Sequence, residues 1–148
     1  MSAPATTPAI DGWFTHDPEP RLIGRHCRRC GTYAFPPTVR WCPNPDCDND
    51  EMEPAELSRR ARVWSYTDAR YQPPPPFVPQ TDPYEPFAIV AAELEVEKII
   101  VLGQAASGVA TADLSVGATV ELVVEPLYRV DGVDHLVWRW RPVAEVVR

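Results

Sequence analysis

From residue 57 onward, apolar and polar side chains alternate with the two-residue period of a β-strand. In Arg62-Val-Trp-Ser-Tyr-Thr67, Val63, Ser65 and Thr67 fall on one face and Trp64 and Tyr66 on the other, which predicts a strand rich in β-branched and aromatic residues. Phe87-Ala-Ile-Val-Ala-Ala-Glu-Leu94 is an almost unbroken apolar run, short enough for a strand covered on both faces. Segments 99–102, 119–125 and 135–141 complete a set of five; in the last, Leu136, Trp138 and Trp140 share one face and Arg139 and Arg141 the other. Between the third and fourth strands, Thr111-Ala-Asp-Leu-Ser-Val-Gly117 suits a single helical turn closed by glycine. Five strands with a short helical element after the third predict a mainly β fold, an OB-type barrel over residues 57–148.

Before residue 57 the pattern differs. Residues 1–20 are rich in Pro, Ala and Thr and then carry Trp13 and Phe14, a tail followed by a short docking segment for which a helical turn is expected. Residues 21–56 hold all four cysteines in two close pairs, Cys27-Arg-Arg-Cys30 and Cys42-Pro-Asn-Pro-Asp-Cys47, separated by enough chain for one β-hairpin. Paired cysteines on tight turns place four thiolates in the tetrahedron a structural Zn²⁺ requires, so Cys27, Cys30, Cys42 and Cys47 are the candidate metal ligands of a zinc ribbon. A redox pair or a disulfide framework competes with this reading, but a redox CxxC opens a helix, whereas Gly31 and Thr32 suit a turn into a strand. His26 abuts the quartet, yet four sulfurs already close a tetrahedron, leaving no position for water or substrate.

Seven of the fourteen residues from 73 to 86 are proline. The run Pro73-Pro-Pro-Pro76 cannot donate backbone hydrogen bonds and favours polyproline II, so residues 72–86 are expected to form a stiff arm joining the first two barrel strands, either a spacer or a docking element.

With 148 residues and 45% hydrophobic content the chain can bury one modest core, and a ribbon of this size needs metal to supply what its own core lacks. Free, closely spaced thiols and no apolar run of membrane-spanning length point to the cytoplasm. The net charge of −7 is uneven: residues 21–40 carry five arginines and no acid. These arginines either offset the negative charge of a zinc tetrathiolate or bind an anion. A nucleic-acid-binding module is the alternative reading, since zinc ribbons and OB barrels both serve that purpose. Against it, residues outside 21–70 carry five basic and fourteen acidic side chains. No nucleotide-binding glycine loop, nucleophile elbow or HExxH motif occurs, the histidines are scattered at 16, 26 and 135, and Glu93, Glu95 and Glu97 are expected to face water. No catalytic residue is nominated, which disfavours an enzyme that acts on its own.

The order of these motifs carries a resemblance. Leu22-Ile-Gly-Arg-His-Cys-Arg-Arg-Cys-Gly31, Phe35-Pro-Pro37, Cys42 and Cys47, then Trp64-Ser-Tyr-Thr67, residues 86–94, Asp113-Leu-Ser-Val-Gly117 and residues 120–125 resemble the zinc-ribbon-plus-OB-fold proteins associated with acyl-CoA metabolism. Leu102-Gly-Gln104, Glu125-Pro-Leu-Tyr128 and Trp138-Arg-Trp-Arg-Pro142 look most like actinobacterial members partnered with sterol-carrier-type thiolases and steroid side-chain aldolases. The resemblance implies a rubredoxin-like ribbon with structural Zn²⁺ and a thiolase-superfamily partner in a two-plus-two heterotetramer. It also implies an accessory role in retro-aldol or thiolytic cleavage of an acyl-CoA, the CoA ester being the substrate of the complex. Two departures stand out: the gap between Cys42 and Cys47 is wider than the commonest form, and Gly117-Ala118 replaces a frequent Gly-Met.

Overall fold

The computed structural model describes residues 5–15, 19–76, 79 and 83–143. Among the described residues, nine strands form two sheets, with one 3₁₀ turn besides. The smaller is the ribbon, in which β2 (Ile23–His26) lies between β3 (Tyr33–Ala34) and β4 (Glu53–Glu56) with antiparallel pairing to both. Gly24 sits where β2 meets its neighbours most closely: a Cβ there would lie 2.5 Å from the Ala34 carbonyl oxygen and 3.0 Å from Leu57.

The larger sheet closes on itself. β5 (Arg60–Ala69), β6 (Phe87–Leu94), β7 (Ile100–Ala105), β8 (Thr119–Val130) and β9 (Val133–Pro142) bond in the cyclic order β5-β6-β7-β9-β8-β5. β7 runs parallel to β9 and the other barrel pairs are antiparallel. With the 3₁₀ turn Thr111–Asp113 between the third and fourth barrel strands, this is a five-stranded OB-type barrel. The chain is mainly β, a ribbon followed by a barrel. Val63, Val90, Ala92, Leu94, Val101, Val120, Leu122 and Trp140 are buried inside. Gly103 leaves room for the two tryptophans of β9, since a Cβ would come within 2.9 Å of both Trp138 and Trp140.

Two irregularities shape the barrel. Val63 opposes Ala92 and Ser65 opposes Ala91, so Trp64 is an extra residue on β5, and this bulge leaves its indole 60% exposed. The long β8–β9 hairpin turns through Asp131 and Gly132, both with positive φ (51° and 77°), as the right-handed twist of a two-residue hairpin requires.

Ribbon and barrel share one apolar cluster. The segment after β1 (Ala5–Pro8) bridges from Phe14 to Leu22, and Leu22 and Leu57 are fully buried. Trp138 reaches out of the barrel to meet this segment. Its ring stacks on Trp13 at 6.1 Å and meets Phe14 at 6.1 Å and Phe35 of the ribbon at 5.6 Å, both edge-on. Its Nε1 donates to the Leu102 carbonyl at 3.0 Å, on the stretch of β7 that β9 does not pair.

Several expectations need correction. The described N-terminal residues hold strand β1, which pairs in parallel with β9, and no helix; residues 16–18 of the docking segment lie outside the described residues. Alternation puts Arg139 on the face it shares with Arg141, opposite Leu136, Trp138 and Trp140, and Arg139 is only 3% exposed there. Its parity is right; the loop after β7 covers it, and Ser107 Oγ accepts from Nη1 at 3.2 Å. Glu97 does more than face water: Ser58 donates to it through both its backbone N–H and its hydroxyl. Of the proline arm, residues 77, 78 and 80–82 lie outside the described residues; at its far end the Tyr84 hydroxyl donates to the Ala69 carbonyl and ties the arm to the end of β5.

Candidate metal centre

Each cysteine pair sits on a knuckle of local hydrogen bonds. In the first, Gly31 N–H donates to the Cys27 carbonyl and Cys27 N–H to the Thr32 carbonyl, with Gly31 in the left-handed region at φ 82°. Only glycine takes that φ without strain, which is why the residue after Cys30 is Gly. In the second, Cys42 N–H donates to the Asn49 carbonyl and Cys47 N–H to the Asn44 carbonyl, while Asn44 Oδ1 accepts from Asp46 N–H. The two extra residues of the wider knuckle are absorbed in this turn.

The knuckles face each other. All four Sγ atoms lie within 4.8 Å of one another, with 3.8 Å from Cys27 to Cys47 and 3.4 Å from Cys30 to Cys42. A tetrahedron of thiolates about 2.3 Å from Zn²⁺ has sulfurs about 3.8 Å apart. The four cysteines are unbridged, and their sulfurs make up a group that could hold a metal ion.

Donors around the sulfurs divide the quartet. The Asn49 amide donates to Cys27 Sγ at 3.2 Å and lowers that thiol's pKa. The Thr32 hydroxyl, 3.1 Å from Cys30 Sγ, helps bring that thiol down to about 6. Burial pushes Cys42 up to about 11, so four thiolates crowded together without a cation are opposed by desolvation and mutual repulsion. A divalent cation removes that opposition, and the donors to Cys27 and Cys30 are placed to support it.

The arginines of the ribbon are largely consumed within it. Arg28 and His26 both engage the Glu53 carboxylate, holding it below the usual carboxylate range, with His26 the larger influence. Arg29 pairs with Asp48, and Arg25 donates to the carbonyls of Pro37 and Met52. Arg40 lies 5.9 Å over the exposed ring of Trp41. His26 also packs on Tyr33 at 4.5 Å, and His135 stacks on Tyr128 at 4.6 Å.

A second feature gave no sequence signal. The end of β7, the loop 106–110, the start of β6 and Leu127 enclose a cleft of about 330 Å³. Arg139 lies along it, anchored by Ser107 Oγ, by the Pro126 carbonyl at 3.1 Å, and by Glu125 at 3.4 Å. Glu125 Oε1 in turn accepts from the Ser107 N–H and hydroxyl. Arg139 Nε is buried without a hydrogen-bond partner among the described residues, and burial depresses the pKa of this guanidinium.

Fold and site together define a zinc-ribbon domain joined to an OB barrel. Residues 14–53 match the family model of the ChsH2 rubredoxin-like zinc ribbon domain. Over 49 residues, a third of this chain, the sequence is 39% identical to the benzoylsuccinyl-CoA thiolase subunit BbsA of Thauera aromatica; the match spans about a third (32%) of that protein. A solved structure described as Ltp2-ChsH2(DUF35) aldolase superposes with a TM-score of 0.61 at 24% identity, covering 82% of this chain and 84% of that one, a likeness of fold. No helix among the described residues is long and apolar enough to cross a membrane.

Proposed function

We propose that this chain is a non-catalytic accessory subunit. It binds a thiolase-superfamily enzyme and is needed for that enzyme's carbon-carbon bond cleavage of an acyl-CoA, retro-aldol or thiolytic, in steroid side-chain degradation in the cytoplasm. The observation that carries the reading is the joining, in one chain, of a ChsH2-type ribbon at residues 14–53 to an OB barrel in the arrangement of the ChsH2(DUF35) aldolase structure. The BbsA likeness supports a thiolase-type partner.

Within this role Cys27, Cys30, Cys42 and Cys47 would hold a structural Zn²⁺. When bound, the ion crosslinks two knuckles that share little apolar surface of their own, and its binding energy becomes folding energy. The residues of this chain then supply shape. Asn49 and Thr32 orient two sulfurs, Phe35 carries the ribbon onto Trp138, and the barrel presents Trp64, Ile100 and Leu102, all exposed, to a partner. Exposed apolar side chains gathered on one sheet suit an interface. The assembly is a two-plus-two heterotetramer.

Co-expression with a thiolase-superfamily protein tests the reading. A complex that survives size-exclusion chromatography at the mass of two copies of each chain is expected. Separate elution of the two proteins at micromolar concentration overturns it.

A further inference from the structure

We infer that Cys30 and Cys42 are an oxidation site, a pair that hydrogen peroxide converts to a disulfide and so strips the ribbon of its metal. The inference rests on the reading of the quartet as a structural zinc site and adds to it a means of undoing that site.

The four sulfurs are not equally placed. Cys30 is exposed, Cys42 and Cys47 are half-buried, and Cys27 is fully buried. The Asn49 carboxamide donates to Cys27 Sγ at 3.2 Å and to the Glu51 carbonyl at 2.8 Å, so a side chain fixed at both contacts fences the buried sulfur. Beside Cys30 stands the small Thr32 hydroxyl, at 3.1 Å, and residues 28–31 are exposed throughout. A small uncharged oxidant therefore reaches Cys30 first, since oxidation of a thiolate follows its access.

Distance sets the second half of the reaction. Cys42 Sγ is 3.4 Å from Cys30 Sγ, against 3.8 Å between Cys27 and Cys47, and both pairs cross from one knuckle to the other. Cys30 Sγ attacks one peroxide oxygen: an S–O bond forms, the O–O bond breaks, and the departing hydroxide takes a proton to become water. Cys42 Sγ then attacks the sulfenic sulfur. An S–S bond forms, the S–O bond breaks, and the second hydroxide takes a proton and leaves as water. Two thiolates lose two electrons in all, and one peroxide with two protons becomes two waters.

The link removes half of the ligand set, and Cys27 and Cys47 alone leave the tetrahedron half made. Because metal binding is folding energy for a ribbon of this size, the knuckles lose their order. The barrel keeps its own, packed by Val63, Val90, Leu94, Val120, Leu122 and Trp140. Phe35, which meets Trp138 at 5.6 Å, lies inside the loop that the new link closes, so the joint between ribbon and barrel is where the oxidation is felt.

Treatment of the zinc-loaded chain with millimolar hydrogen peroxide tests the inference. Zinc release, followed with a metallochromic indicator, should run in step with a single disulfide that peptide mass spectrometry maps to Cys30 and Cys42, and dithiothreitol with added zinc should restore the metal. Asn49→Ala, with all four cysteines intact, should keep its zinc and raise the share of a Cys27–Cys47 link several-fold. A first disulfide within one knuckle, zinc retained under peroxide, or an unchanged disulfide distribution in Asn49→Ala would each overturn the inference while leaving the zinc reading in place. A chain that binds no zinc before oxidation overturns both.

Discussion

Replacing Trp138 by Ala removes the side chain on which ribbon and barrel meet. The indole is 8% exposed and touches Trp13, Phe14 and Phe35. A tryptophan buries about 200 Å², which at about 25 cal/mol/Å² gives an upper figure of about 5 kcal/mol, and measured aromatic-to-Ala truncations cost about 3–5 kcal/mol. The lost hydrogen bond to the Leu102 carbonyl adds little, because Leu102 is exposed and water can replace the donor. With a urea m-value of about 2 kcal/mol/M, a loss of about 4 kcal/mol lowers the midpoint by about 2 M. The assay is urea unfolding of Co²⁺-loaded protein, following the thiolate-to-metal absorption for the ribbon and far-ultraviolet circular dichroism for the barrel. Coincident transitions are expected in the wild type. In Trp138→Ala the barrel transition should fall to lower urea and separate from that of the ribbon. A loss below about 1 kcal/mol with transitions still coincident would refute the claim that this cluster joins the two parts.

Cys30→Ser should lose stoichiometric zinc and unfold the ribbon, checked by metal analysis and melting; full metal with unchanged melting would contradict the assignment. Gly103→Ala should destabilise by about 1–3 kcal/mol through overpacking against Trp138 and Trp140, measured as the shift in urea midpoint; a neutral result would mean that the indoles yield easily. Glu121 and Asp134 are held below ordinary carboxylate values, chiefly by hydrogen bonds from Arg141 and Arg129. The stability they contribute is therefore complete above their unfolded pKa values, about 4, and is lost as pH falls through the lower folded values. Melting followed from pH 7 to pH 2 should show the wild type losing more stability than Glu121→Gln below pH 4; parallel curves would refute the Arg141 pairing.

How much of this was legible in sequence depended on the range of the signal. The barrel strands showed through because each is a local alternation, and Gly117, which closes the turn after Thr111–Asp113, announced itself by type. Strand β1 did not, because Ala-Thr-Thr-Pro has no apolar periodicity and is held by its pairing with β9. The last hairpin was drawn too short, although Asp131-Gly132 is a strong hairpin signal that would have extended both strands. Arg139 is the instructive miss: a period of two assigns a face but says nothing of what covers it, and Ser107 covers this one from 32 residues away. The cleft follows the same logic, since its walls come from four separate stretches of chain. The cysteine quartet was legible because its geometry is made by two short knuckles whose turns are written locally.

The central claim is that this chain supplies shape to a partner that carries out the chemistry. The most direct test is the rate of acyl-CoA cleavage by the thiolase-type partner as this chain is titrated into it. The account predicts a rate that climbs and saturates at one copy of this chain per partner subunit, with no turnover by this chain alone. A partner fully active by itself, or turnover by the isolated chain, would contradict it.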